Sequence, residues 1–543
     1  MQKVKGHIVD VFNERIFKGE ISIEGEKIAK IRACDHVPNH YIIPGFIDAH
    51  VHVESSMLVP TEFARIAVRH GTVATVSDPH EIGNVLGKSG VEFMIENGNK
   101  TPFKFYFGVP SCVPATSFET AGATIDLDDM EELFKLPRVN YLAEMMNFPG
   151  VLNGDTEVLA KIELAKKLGK VIDGHAPGLR GEVAGKYIQS GISTDHECFT
   201  IEEALDKLNY GMKISIREGS AAKNFEALWP LIDSHPEMVM FCSDDKHPND
   251  LVDSHINNLA KRAVEKGCNL FNVLRACSLN TIQHYTMEVG LLREGDSADF
   301  CIVKDLSEFE VVSTFIDGVK VAEKGKTLFH SPRPETINNF QCSEISEKAI
   351  RVIDEHRPVR VIEVEDGQLI TRERKAVLPE SKGYLESDLS KDILKMVVVN
   401  RYRKALPAMS FVQNFGLKKG AIASCVAHDS HNIIAVGTND RDICSAINLI
   451  IQAKGGISLA SGQDQKLLSL PVAGIMSDRD GDLVAQEYEE MDRQAKLLGS
   501  TLSAPYMTLS FCALLVIPKL KLSDKGLFDG EKFEFVSVYD YGD

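Results

Sequence analysis

His50 and His52 stand one residue apart in "PGFIDAHVHVESS", where a short apolar run gives way to polar residues. On a strand, that spacing points both rings to the same side. Buried cores rarely need two such imidazoles, whereas a metal ion does. Other apolar runs end in the same way. Asp78 and His80 follow the run in "TVATVSDPH", Glu144 lies in "NYLAEMM", and His175 closes "VIDGHAP". His196 closes "ISTDHE", and Asp244 with Asp245 closes "MVMFCSDD". Each has an ordinary explanation when taken alone. An H-x-H arises by chance, a lone histidine is commonly a hydrogen-bonded core residue, and "SDD" is a frequent helix N-cap. Together, His50, His52, His175, His196, Glu144 and Asp244 form a donor set that divalent transition metals accept.

The elements that must position these residues are legible in the same stretch. Eight short apolar runs recur: "GFIDAHVH", "TVATVSDP", "FKFYFGVP", "NYLAEMM", "VIDGHAP", "ISTDHE", "KISIREGS" and "MVMFCSDD". Between them lie segments such as "EVLAKIELAKKLGK" and "IEEALDKLNYG", with apolar residues at helical spacing and Lys and Gly stops. Strands alternating with helices imply a parallel sheet, and eight repeats imply closure into a (β/α)₈ barrel whose C-terminal rim carries the active site. An open doubly wound sheet is disfavoured, because no GxGxxG follows the first strand. Residues 1–44 and 291–330 share a hairpin-rich texture, with turn signals at Glu24-Gly25-Glu26 and Asp317-Gly318. They are expected to form one small β domain flanking a barrel at 45–290. The proline-containing "HSPRPETINNF" then leads to a further region, 341–543, of mixed strands and helices.

Composition narrows the function. The chain has 543 residues, 44% of them hydrophobic and 25% charged, with a net charge of −18. Two or three domains are expected, and neither nucleic acid nor an anionic membrane is an expected partner, because both call for excess Lys and Arg. Eleven cysteines without a CxxC pair suit free thiols in a reducing compartment. The N-terminus lacks the apolar stretch of a signal peptide, and "MTLSFCALLVIP" is too short to span a bilayer, so a cytoplasmic protein is expected.

The longer motifs carry a resemblance. "PGFIDAHVHVESSM", "SDPHEIGNVLG", "LAEMMNFPGVL", "DGHAPGLRG", "STDHE", "IREGSAAKN" and "SDDKHP" resemble the adenine deaminase family of the amidohydrolase superfamily. So do "VAHDSHNIIAVGTND", "GGISLASGQ", "LPVAGIMSD" and "MTLSFCALLVIPKLKLSDKGLFD" near the C-terminus. The resemblance implies an α/β fold: a metal-dependent hydrolase barrel, a small β-sandwich domain from both flanks, and an additional C-terminal α+β domain. It implies that His50, His52 and Asp244 bind one metal and that His175 and His196 bind a second. Glu144 would stand where many relatives place a carboxylated lysine, bridging the two. The mononuclear purine branch carries a "HAGE"-like motif, and "DGHAPG" lacks its glutamate.

The implied reaction is attack of water on C6 of adenine, giving hypoxanthine and ammonia in purine salvage. Two divalent ions, manganese or iron by the resemblance and zinc by donor type, would lower the pKa of a shared water from about 16 to roughly 7. Asp244 is the expected base and proton relay, and Glu144 is a candidate to protonate ring N1. Glu54, Ser55, Asp78, His80, Arg217, Glu218, Ser220 and Asp245 are candidate substrate contacts. Turn or capping roles are the plain alternatives for Asp78, His80 and the serines. His428 and His431, outside the barrel, are expected to be structural or interfacial. The expected partners are a purine and further copies of the chain. The rival readings are a cyclic-amide hydrolase on the same scaffold and a non-catalytic scaffold, the latter weakened by the complete ligand set.

Overall fold

The computed structural model describes residues 2–542. The eight apolar runs are eight strands: β1 (Phe46–Val51), β2 (Thr72–Ser77), β3 (Lys104–Val109), β4 (Val139–Met145), β5 (Val171–Gly174), β6 (Thr194–Asp195), β7 (Lys213–Arg217) and β8 (Val239–Cys242). All pair in parallel and in chain order, β1 to β5 in one ladder and β6 to β8 in another. Every residue of β1, β2 and β3 is buried. With both faces covered, such strands read as continuous apolar runs and not as an alternation.

Two seams join the ladders into a barrel. Ser193 N–H donates to the Ile172 carbonyl at 2.9 Å, and Asp244 N–H donates to the His50 carbonyl at 2.9 Å. Asp48 reinforces the second seam from within β1. Its Oδ1 accepts the Ser243 N–H at 2.9 Å, while Oδ2 takes the Ser243 hydroxyl and lies 2.8 Å from His255 Nε2. Thr72 Oγ1 holds the other ring nitrogen of His255 at 2.7 Å. The intervening helices start where the sequence places caps. Asp155 accepts from Glu157 and Val158 N–H to open Thr156–Lys167, and Thr200 accepts from Glu203 N–H to open Ile201–Asn209.

Strands from both flanks form one eight-stranded sheet, whose halves meet where Tyr41–Pro44 pairs antiparallel with Phe300–Val303. Ile8, Ile21, Ile42, Phe300 and Phe315 lie in its core. At the Ile316–Val319 turn, Asp317 and Gly318 both take positive φ, 47° and 76°, as a tight hairpin requires. Buried Lys104, at the start of β3, ties this sheet to the barrel through Asp299 Oδ2 and Asp317 Oδ1, both at 2.7 Å.

Residues 330–346 carry neither helix nor strand. A second eight-stranded sheet follows, with helix Asp440–Ala453 packed against it. The loop 425–432 joins two of its antiparallel strands, Ala421–Ser424 and Ile433–Gly437. Helix Gly481–Leu497 docks this region on the barrel helix Pro60–Ala67 and its extension. Glu62 Oε2 accepts Gly481 N–H at 2.9 Å, and Arg69 makes a two-pronged pair with Asp482 at 2.6 and 2.7 Å. "MTLSFCALLVIP" contributes to the buried helix Pro505–Phe511, and no helix among the described residues is long and apolar enough to cross a membrane.

Asp48→Ala leaves the Ser243 hydroxyl and His255 without their acceptor at the β8–β1 seam. The expected cost is about 3 kcal/mol of stability, read as a lower denaturation midpoint. An unchanged midpoint would show that this carboxylate does not hold the seam.

Candidate metal centre

In a parallel barrel the C-terminal ends of all strands open on one rim. His50 lies in β1 and His52 just beyond it, Glu144 lies in β4, His175 follows β5, His196 follows β6, and Asp244 stands two residues past β8. None of the six is more than 6% exposed. Asp244 has φ of 54°, a left-handed conformation that Asp tolerates better than bulkier residues.

Glu144 is central. Its Oε1 lies 3.3 Å from His52 Nε2, and its Oε2 lies 2.8 Å from His175 Nδ1 and 3.2 Å from His196 Nε2. Asp244 Oδ1 is 3.4 Å from His52 Nε2 and 3.7 Å from His50 Nε2. The Nε2 atoms of His50 and His52 face each other at 3.2 Å, and the His50 ring stacks on His196 at 4.1 Å. Two atoms bound to one cation at about 2.1 Å and roughly a right or tetrahedral angle lie about 3.0–3.4 Å apart. Most of these separations fall at or near that range. Glu144, His175 and His196 each offer an atom within 4.8 Å of the others, as do His50, His196 and Asp244. The donor set therefore suits divalent cations, with Glu144 Oε1 toward His52 and Oε2 toward His175 and His196.

The electrostatics agree. Burial alone would raise the Glu144 carboxyl, but His175, then His196 and His52, hold it well below the usual range. Burial likewise opposes ionisation of Asp244, which Arg217 above all overcomes. Arg217 Nη1 donates to Asp244 Oδ2 at 2.6 Å, and the same guanidinium grips both oxygens of Glu197, with Nη2 at 2.9 Å from Oε2. Burial pushes His196 down, yet Glu144 and Asp244 lift it to about 9. His50 goes the other way, lowered by burial and by His196 and His52. The acids here outweigh the fixed cations, so positive charge is drawn to the imidazoles.

The candidate substrate contacts divide. Asp245 lines the cavity and its Oδ1 accepts the Ser55 hydroxyl at 2.5 Å. His80 also lines it, with Nδ1 at 3.2 Å from Asp78 Oδ2. The Asp78 carbonyl lies 3.2 Å from His52 Nδ1, so this residue orients the histidine through its backbone. Glu54 faces the next turn, accepting Ile82 N–H at 3.2 Å, and burial with Glu81 nearby raises it to about 7. Arg217 lines the cavity, although its guanidinium is engaged by Glu197 and Asp244. Glu218 and Ser220, expected at the purine edge, are placed elsewhere. Glu218 pairs with Arg262 at 2.5 Å, and Ser220 binds Asp250 and the His247 N–H. Strand alternation explains Glu218: where Arg217 points inward, its neighbour points out.

The cavity is tight, ≈ 30 Å³, room for little more than one water molecule. Its lining includes residues that motif reading did not single out: Glu81, Glu197, Met146, Leu369, Asp429 and Leu514. Glu81 and Glu197 each directly follow a rim histidine, which was the available signal. His428 reaches the cavity from the C-terminal region, and together with His431 it holds Glu81 by both oxygens.

Comparison with known proteins gives findings that agree. Residues 41–321 match the model of the amidohydrolase family, and residues 368–534 match the adenine deaminase C-terminal domain. A protein of Sulfurovum sp. (strain NBC37-1), named adenine deaminase, is 56% identical over 98% of this chain and 99% of its own length. Proteins of the same name from Methanosarcina mazei and Salinibacter ruber are 51% and 50% identical, each over 99% of this chain and 100% and 98% of their own.

His52→Ala removes the imidazole that faces both Glu144 and Asp244. The expected result is a folded protein, by circular dichroism, with bound metal reduced at least about tenfold in affinity. Full metal retention by that variant would show the ligand assignment to be wrong.

Proposed function

Since the chain belongs to the adenine deaminase family of the amidohydrolases and hydrolyses adenine to hypoxanthine and ammonia, we propose that the rim cluster around Glu144 is the seat of that reaction. One observation carries this reading: a single buried carboxylate meets His52 through one oxygen and His175 and His196 through the other. His50, His52 and Asp244 would hold one divalent cation and His175 and His196 the second, with Glu144 shared between them. Bound there, divalent cations would supply a water acidic enough to ionise near neutral pH.

The chain's own groups do the rest. Glu144 is already anionic and needs no CO₂ adduct to offset two neighbouring cations. Arg217 fixes Asp244 through Oδ2 and leaves Oδ1 toward the histidines. Asp244 Oδ1 would then accept the proton of the attacking water and return it to the departing amine, a relay that requires one acceptor within reach of both. Leu369, Leu514 and Met146 provide apolar walls for a flat ring, and Asp245 offers an acceptor for a ring N–H group. The enclosing C-terminal residues favour a free base over a nucleoside.

The finer assignments follow the same reading. Manganese or iron is the proposed metal, and zinc also suits imidazole and carboxylate donors. Purine salvage in a reducing cytoplasm suits the free thiols, nine of the eleven being buried. The net charge of −18 argues against a nucleic-acid or membrane partner. A homo-oligomer joined through the C-terminal region belongs to the proposal, as does the division into 1–44 with 291–330, 45–290 and 341–543.

Apoprotein reconstituted with manganese is expected to convert adenine to hypoxanthine and to release ammonia, with activity saturating at two equivalents. Adenosine is expected to react at least about a hundredfold more slowly. Equal rates on the two substrates would overturn the base-only reading, and saturation at one equivalent would overturn the shared role of Glu144.

A further inference from the structure

His80 has two neighbourhoods. Its Nδ1 faces the central cluster, 3.2 Å from Asp78 Oδ2 and 3.6 Å from Glu144 Oε1. Its Nε2 faces the C-terminal region, 3.5 Å from Glu81 Oε1 and 3.7 Å from Asp429 Oδ1. His80, Glu81 and Asp429, all buried, each offer one ligand atom within 4.8 Å of the others'. The separations are long for direct hydrogen bonds and close to those of atoms sharing a cation at about 2.1 Å. Asp429 Oδ2 and His80 Nδ1 are buried without a hydrogen-bond partner, although Asp429 is only 3% exposed.

The surroundings hold these groups in place. Glu81 cannot swing, because His428 Nδ1 engages one of its oxygens and His431 Nε2 the other. The loop that carries Asp429 is itself pinned: Tyr402 Oη donates to the Ser430 carbonyl at 2.6 Å, and Asn432 Nδ2 donates to the Thr120 carbonyl at 2.9 Å. Asp78 Oδ2 lies 3.2 Å from Nδ1 without the alignment of a hydrogen bond, so its negative charge alone biases the ring proton to Nδ1, away from Nε2. Charge points the same way. Glu81, Asp429, Asp78 and Asp245 are all buried here, and the nearby Arg217 is committed to Glu197 and Asp244. His428 and His431 answer Glu81, whereas Asp429 meets only the His80 ring across 3.7 Å, a gap that a divalent ion bound by both would close.

We propose that His80 Nε2, Glu81 and Asp429 hold a further divalent cation, separate from those around Glu144, which clamps the C-terminal loop 425–432 to the barrel beside the substrate cavity. One imidazole and two carboxylates suit manganese, iron or zinc, with water or substrate completing the shell. The competing occupant of this space is a proton on His80, which would pair the same acids without any ion.

The test uses the full chain loaded with Mn²⁺ alone. Diffraction data at the manganese edge are expected to show an anomalous peak among His80, Glu81 and Asp429 in addition to density at Glu144. Elemental analysis is expected to find Asp429→Asn, or His80→Asn if the first variant fails to fold, lower by one ion per chain. Anomalous density confined to the Glu144 cluster, or an unchanged metal count in the variant, overturns the proposal and leaves the protonated His80 in its place. Density at His80 with none at Glu144 would instead overturn the proposed catalytic centre and leave this site standing.

Discussion

Everything at the rim answers to one electrostatic constraint: Glu144 and Asp244 are charged groups held almost out of contact with water. An isolated buried carboxylate is expensive, so each must meet positive charge or donors at short range. Glu144 meets three imidazoles, and Asp244 meets a guanidinium on one oxygen and two imidazoles on the other. Such a site is unfavourable for folding alone and favourable for capturing cations. That asymmetry is the physical basis for the proposal that the rim is the reaction centre.

The barrel contributes precision more than chemistry. Its strands bring the residues of "HVH", "AEM", "DGH", "DHE" and "SDD" to one rim, although they are spread from residue 50 to residue 245. The seam between β8 and β1 matters most, since Asp244 N–H bonds the carbonyl of His50 itself. Asp48, two residues upstream, holds that seam from the inside. A shift there would move a proposed ligand from each side of the junction together. On β7, alternation decides the matter: Arg217 enters the site, while Glu218 turns out to Arg262.

The C-terminal region is more than an appendage. Leu369, His428, Asp429 and Leu514 reach the same cavity as the barrel ligands. Helix Gly481–Leu497 is anchored to the barrel helix by Glu62 and by Arg69 with Asp482. Docking of the two parts and completion of the cavity are therefore one event. Residues matched to the adenine deaminase C-terminal domain and residues matched to the amidohydrolase barrel thus line one cavity.

Local pattern was enough for the strands, because each buried strand must be an apolar run and each run had to end in polar residues at the rim. The eight runs are the eight strands, and the six proposed ligands converge, since ligand identity depends on side-chain chemistry and on position along a strand. Resemblance in the long motifs carried the family and the reaction. Other features were invisible at that level. Glu81 gains its surroundings only through His428 and His431, some 350 residues later, and neither end of that contact carries a periodic signal. Ser220 looked like a rim residue by adjacency, yet its hydroxyl is taken by Asp250. The one-dimensional chain thus determined which groups can ionise, bind metal or form strands, because those properties belong to residues and their near neighbours. Only tertiary packing decided which acid faces which base, because pairing energies depend on distance and burial, and both are set by segments far apart in the chain.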